Sequence, residues 1–312
     1  MPGQRSDDYK VVLAVEGGGM RGAVSSGMLL TLEQLGLRNS FDAVVGTSAG
    51  AIASAFFATG QGTSGSVLYY TVLNSERFVN RRRLLIPVWA TVTPADPEND
   101  TRLFEVGVSE DHARRVLAAT ACLPVIAGPS RFVDDQAYID GGMLEAVPWS
   151  SAIDLGATHV LVIRSRGYNR DGKPEPLNVF ERATLPRLVK RMHNDHVAEV
   201  VRLSASRFWN TTEALRAIID GDAMPLAAGG RPVVIDAVIP DASADLPDRL
   251  EVDTHVLMDA LTAGAQAMIE YLDLEGFAVE QRVVVTHPRA PIGRVRTTAL
   301  TPIVSSRRTW LR

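Results

Sequence analysis

The first apolar run in the chain, Val11-Val12-Leu13-Ala14-Val15, is unbroken by any polar position and stops at Glu16 and three glycines. A short, mostly β-branched block of this kind predicts a strand buried on both faces that ends in a backbone-permissive loop. From Ala23 to Leu37 the apolar residues Val24, Met28, Leu29, Leu32 and Leu35 return at helical spacing. Phe41 to Val45 then predicts a second short strand, and Ala49 to Ala58 a second helix made almost wholly of small and apolar residues. Glu110 to Ala121 predicts a helix stopped by Pro124, and His159 to Arg164 another buried strand. Pro186 to Ile219 is a long, charged, amphipathic helical region, Val233 to Ile239 a strand and Asp253 to Leu272 a helix. Loops are expected at Gly60 to Ser66 and across TVTPADPEND, residues 91–100.

Strands alternating with helices imply parallel pairing with helices on both faces, so the expected fold is a three-layer α/β/α arrangement with a mainly parallel central sheet. Around Arg170 to Pro176 the composition turns to Asp, Gly, Lys and Pro, which sets the expected boundaries. They are a core domain over residues 9–172, a mostly helical extension over 173–279 packing on it, and a basic tail over 280–312. No acid follows Glu280, whereas Arg282, Arg289, Arg294, Arg296, Arg307, Arg308 and Arg312 do. Such a tail suits a solvated arm or a contact with anionic lipid.

Composition narrows the classes. With 46% hydrophobic and 22% charged residues in 312, the chain reads as an ordinary folded protein, and its net charge of −4 argues against a general nucleic-acid binder. A single cysteine, Cys122, leaves no intrachain disulfide framework and favours a reducing, cytoplasmic setting. The opening residues MPGQRSDDYK lack the apolar centre of a signal peptide, and no apolar run approaches the roughly 20 residues that span a bilayer. Any lipid is therefore expected to be met from the water side, as a peripheral contact.

The chemistry concentrates in three places. Gly46-Thr47-Ser48-Ala49-Gly50 lies between a predicted strand and a predicted helix, which is the context of a nucleophile elbow rather than of a simple helix cap. A serine hydroxyl needs a base. One candidate is Asp140 in AYIDGGMLEAVP, a carboxylate at a strand end freed by Gly141 and Gly142, which could accept the serine proton directly. The other is His287, placed late in the chain as the histidine of an α/β-hydrolase triad would be, although the elbow stands early for that layout. The third place is Glu16-Gly17-Gly18-Gly19-Met20-Arg21-Gly22, whose backbone N–H groups precede a helix and suit an anion or oxyanion. It also fits the dinucleotide pattern through Gly17, Gly19 and Gly22, but that reading leaves the serine unexplained and lacks the acid after the next strand.

Taken together and in this order, GGGMRG, GTSAG and DGG resemble the three motifs of the patatin-like phospholipases. The likeness covers roughly residues 11–165 and extends to ATACLPV, EAVPWSSAIDLGA and HVLVIRSR; it is loose from 173 onward. The resemblance implies a Ser48–Asp140 dyad, with the amides of Gly18, Gly19 and Met20 as oxyanion donors and Gly17, Arg21, Gly22, Gly46, Gly50, Gly141 and Gly142 as motif positions. It implies a serine acyl hydrolase acting on lipid or acyl esters with no metal or organic cofactor. A dyad of this kind sets the acidic limb of the pH profile near or somewhat above the ordinary carboxylate value of about 4. Glu16 departs from the family's frequent Asp, and the serine-to-aspartate interval is short. A non-catalytic lipid-binding protein on the same scaffold is the rival class.

Three further features enter the reading. His193, His196 and Glu199 would share one helical face, either as a metal site or as a solvated face. Arg81-Arg82-Arg83 before Leu84 to Trp89 offers an interfacial lip, or a surface charge run ahead of a buried strand. Cys122 is expected in the core and Arg21 as a brace for the glycine loop.

Overall fold

The computed structural model describes residues 8–71, 86–97, 100–167, 187–241, 246–274, 279–284 and 295–300. At its centre β1 (Val11–Val15) pairs in parallel with β2 (Ala43–Thr47) on one side and β7 (His159–Ile163) on the other. Parallel pairing continues outward to β3 (Val88–Pro94) beside β2 and to β8 (Val234–Val238) beside β7. The far edge of β3 takes β4 (Arg102–Glu105) and β6 (Gln136–Asp140), both antiparallel, and β5 (Arg131–Val133) closes that side.

Every residue of β1 is buried because both faces are covered. Val11, Leu13 and Val15 enter one core with α1 (Gly22–Gln34), α2 (Ala49–Ala58), α4 (Glu110–Thr120) and α7 (Thr254–Tyr271). Val12 and Ala14 enter a second core with α5 (Trp149–Asp154) and the C-terminal half of α6 (Asp195–Ile219). Successive side chains of a strand point to opposite faces, so this split is the three-layer α/β/α arrangement expressed residue by residue. A third cluster, with Ile139, Met143, Val189, Val197 and Val200, fills the space behind the end of β6. Gly62–Thr71 forms the remaining helix on the first face, α3.

Several expectations are corrected. Thr91-Val92-Thr93-Pro94 is not loop but the second half of β3, buried throughout. Its consecutive β-branched residues suit a pleated interior, and Pro94 stands at the strand's end. The helical region after 186 is not continuous: Asn194 accepts the Val197 N–H at 2.8 Å and starts α6 afresh. The sheet also runs past the boundary placed at 172/173, which itself lies outside the described residues, since β8 is paired with β7. Across the start of the expected tail, β9 (Val279–Val284) and β10 (Val295–Leu300) form a two-stranded antiparallel ribbon.

The region beyond that boundary is joined to the first part by backbone contact as well as by the sheet. Where α1 crosses α7, a Cβ at Gly264 would run into the Val24 carbonyl, and one at Gly27 would lie 2.9 Å from the Ala265 nitrogen. Gly264→Ala is therefore expected to force the helices apart and destabilise the chain by about 1–3 kcal/mol. Urea unfolding of parent and variant measures this; an unchanged midpoint would mean that the crossing accommodates the added methyl group.

Candidate active site

β2 ends at Thr47 and α2 begins at Ala49, so Ser48 alone makes the turn between them. It does so at φ 51° and ψ −124°, a conformation costing on the order of 1–3 kcal/mol for a residue with a side chain. Gly50 permits the close crossing that follows, since a Cβ there would lie 2.5 Å from the carbonyl oxygens of Val15 and Glu16. The strained turn is held by two bonds that Ser48 donates. Its N–H donates to Thr120 Oγ1 at 2.8 Å, and that hydroxyl in turn donates to the Thr91 carbonyl at 2.6 Å, which leaves a lone pair facing Ser48. Its own Oγ donates to Asp140 Oδ2 at 2.7 Å.

Asp140 ends β6, with its N–H on the Cys122 carbonyl at 3.0 Å and its carbonyl accepting from Thr93 Oγ1 at 2.9 Å. The second carboxylate oxygen accepts the Gly142 N–H at 2.7 Å, which fixes the carboxylate plane toward the serine. Asp140 is only 5% exposed and Ser48 9%. Burial pushes the Asp140 carboxyl up to about 6, against the opposing pull of the Ser48 and Gly142 donors and the Arg249 charge. At neutral pH it remains mostly ionised and able to take a proton.

The glycine loop joins β1 to α1 beside this pair, and a Cβ at Gly17 would stand 3.2 Å from the Ser48 Cβ. The Gly17 N–H is committed to the Ala146 carbonyl at 2.9 Å. Among the described residues the N–H groups of Gly18 and Gly19 have no hydrogen-bond partner, and they precede the N-terminus of α1. Met20 differs from the expectation placed on it: its N–H donates to the Arg249 carbonyl at 3.0 Å and is not free in this structure. Gly46 lies near the end of β2, Gly22 is the first residue of α1, and Gly141 and Gly142 form the tight turn that follows Asp140.

The loop is anchored from below by groups that no motif announces. Glu16 is fully buried; its Oε2 accepts from Arg164 Nε at 2.9 Å and Ser165 N–H at 2.7 Å, and its Oε1 from Arg166 Nε at 3.0 Å. Burial would raise this carboxyl, but the two guanidinium charges and the hydrogen bonds outweigh it and hold Glu16 at about 2. The C-terminal ends of β1 and β7 are thereby tied together, and Arg166 is stacked over Phe208 at 3.8 Å. Arg21 folds back along Gly18, where burial and then the charges of Arg166 and Arg249 lower it to about 9.

Other candidates separate from the site. His287 and Arg81 to Arg83 lie outside the described residues. Of the apolar half of the expected lip, Leu84 and Leu85 also lie outside the described residues, Ile86 and Val88 are buried and Trp89 packs on the second core. His193 sits before the helix break and contacts Ser130 Oγ at 3.1 Å, while Glu199 pairs with Arg202. The shared helical face expected for His193, His196 and Glu199 is not formed, and no metal-ligating group of three occurs among the described residues. Cys122 is buried with its thiol on the Pro129 carbonyl, and burial pushes its ionisation up. No helix among the described residues is long and apolar enough to cross a membrane.

Residues 13–110 match the family model described as patatin-like phospholipase, a span that holds the glycine loop and Ser48 but not Asp140. An Escherichia coli (strain K12) protein described as uncharacterized protein YjjU is 28% identical over 186 residues, which are 50% of this chain and 52% of that protein. The chain thus spans about half the length of that relative. The crystal structure of VipD from Legionella pneumophila is similar at a TM-score of 0.43 and 11% identity, over 86% of this chain and 67% of that one.

Proposed function

We propose that this chain, whose residues 13–110 match the family model described as patatin-like phospholipase, is a serine acyl hydrolase of lipid esters using Ser48 and Asp140. The observation that carries this reading is the 2.7 Å hydrogen bond from Ser48 Oγ to the buried Asp140 carboxylate, which stands beside loop amides that have no partner among the described residues. Asp140 takes the hydroxyl proton as Ser48 Oγ bonds to the ester carbonyl carbon, and the negative charge moves to the carbonyl oxygen. The Gly18 and Gly19 N–H groups receive that oxyanion, where fixed donors in a dry site act most strongly. Collapse breaks the ester C–O bond, and Asp140 returns its proton to the departing alcohol. Water, deprotonated by Asp140, then attacks the acyl-Ser48 carbonyl, and the products are a free fatty acid and the regenerated serine.

The test is fatty-acid release from diacyl phospholipid vesicles before and after treatment with a fluorophosphonate. The expected result is release that disappears in step with a covalent label on the peptide containing Ser48. Binding of the lipid with no release and no label would instead make the chain a lipid-binding protein on this scaffold.

A further inference from the structure

Between β8 and α7, the segment 246–253 crosses the outer side of the glycine loop. It is anchored at both ends: Leu246 packs on the first core and Pro247 is buried, while Asp253 caps α7 by accepting the His255 N–H at 2.7 Å. Between the anchors lies a tight turn. The Glu251 N–H reaches the Asp248 carbonyl at 3.3 Å, and Glu251 Oε1 accepts from the Val252 and Asp253 N–H groups at 2.8 Å. This turn lays the Arg249 carbonyl on the Met20 N–H, and it leaves no gap: a Cβ at Gly19, where φ is +60°, would stand 2.5 Å from the same oxygen. One backbone bond therefore occupies a donor on the loop that presents the Gly18 and Gly19 amides.

The side chains next to that bond are poorly suited to water. Leu250 is 64% exposed and Val252 87% exposed, the latter the most exposed large apolar side chain among the described residues. A soluble ester offers these groups nothing, whereas an apolar phase does, and the free energy of burying two such side chains exceeds the net worth of one backbone hydrogen bond. Charge selects the kind of surface. Arg249 is accompanied by Asp248, Glu251 and Asp253, so the segment carries an excess of negative charge that an anionic lipid surface repels and a zwitterionic one does not.

We propose that residues 246–253 form a lipid-operated strap on the oxyanion loop: at rest the Arg249 carbonyl holds the Met20 N–H, and insertion of Leu250 and Val252 into a zwitterionic lipid surface draws the turn away and frees that donor. What the freed donor does rests on the acyl-hydrolase reading; the movement of the strap does not. The experiment uses the full chain with vesicles of diether phosphatidylcholine, which has no ester to hydrolyse. Two quantities are read with and without vesicles, namely amide hydrogen exchange at Met20 and hydrolysis of soluble p-nitrophenyl butyrate. In the parent, exchange at Met20 is expected to rise by about tenfold, the loss of one protecting hydrogen bond, and hydrolysis to rise with it. In Leu250→Ser/Val252→Ser, neither should respond. Unchanged Met20 exchange in the parent, an equal rise in the double variant, or a response only to anionic diether vesicles would each overturn the strap. An exchange response with no hydrolysis under any condition supports the strap and sinks the hydrolase reading, so the two failures are distinguishable.

Discussion

Ser48→Ala is expected to lower kcat for a short p-nitrophenyl ester by about 10⁴-fold or more, since loss of the nucleophile removes the acyl-enzyme route altogether. The fold should survive. Only the hydroxyl is lost, and the turn it occupies is also held by the Ser48 N–H on Thr120 and by the close crossing at Gly50. A companion variant separates chemistry from strain. At φ 51° a side chain is held in a conformation that glycine adopts freely, so Ser48→Gly should be equally inactive yet more stable than Ser48→Ala by about 1 kcal/mol. Steady-state kinetics and urea unfolding on the three proteins check both statements. Residual turnover near the parent value in a clean preparation of either variant would remove Ser48 from the mechanism.

What could be read from the sequence has a physical pattern. The loop after Val15, the turn at Ser48 and the release at Gly141-Gly142 were visible because each is local: a buried strand, then residues that allow an abrupt backbone change, then a helix or turn. The buried central strands were visible for the same reason, since a parallel strand covered on both faces is a short unbroken apolar run. Thr91-Val92-Thr93-Pro94 was hidden by its neighbours. Proline and acidic residues follow at once, and only pairing with β2, β4 and β6 makes a strand of it. Thr120 and Arg249 carry no local signal whatever. One is the last residue of α4, read as an ordinary helical position, and the other an exposed arginine about 200 residues from Ser48, and their contacts exist only through the tertiary fold. Glu16 was noticed as a departure in the glycine motif, but its function as the buried counter-charge of Arg164 and Arg166 needed β7 alongside β1. The strand β8 is the same lesson at a larger scale, because a run after a composition break gives no sign of which sheet it joins.

Asp140→Asn is expected to cost activity on the scale of Ser48→Ala, because serine and base act as a unit and the amide cannot take the hydroxyl proton. The shape of the site should persist, with the remaining carbonyl oxygen able to keep the Gly142 N–H. The parent's pH profile carries the more demanding part of this prediction. The sequence alone points to an acidic limb near or somewhat above the ordinary carboxylate value of about 4, and burial of Asp140 places it higher, with the carboxyl pushed up to about 6. The active form is the ionised one, so log(kcat/KM) should be level above pH 6 and fall with unit slope as pH drops through that value. A histidine base would titrate close by, at about 6.5, so the position of the limb does not by itself separate a dyad from a triad. Temperature does, because a carboxylate ionises with little heat whereas imidazolium does not, and the limb should scarcely move between cold and warm assays. His287→Ala should then leave both the rate and the limb nearly unchanged. A limb that shifts steeply with temperature, together with a dead His287→Ala and an active Asp140→Asn, would replace Asp140 with the histidine as the base that activates Ser48.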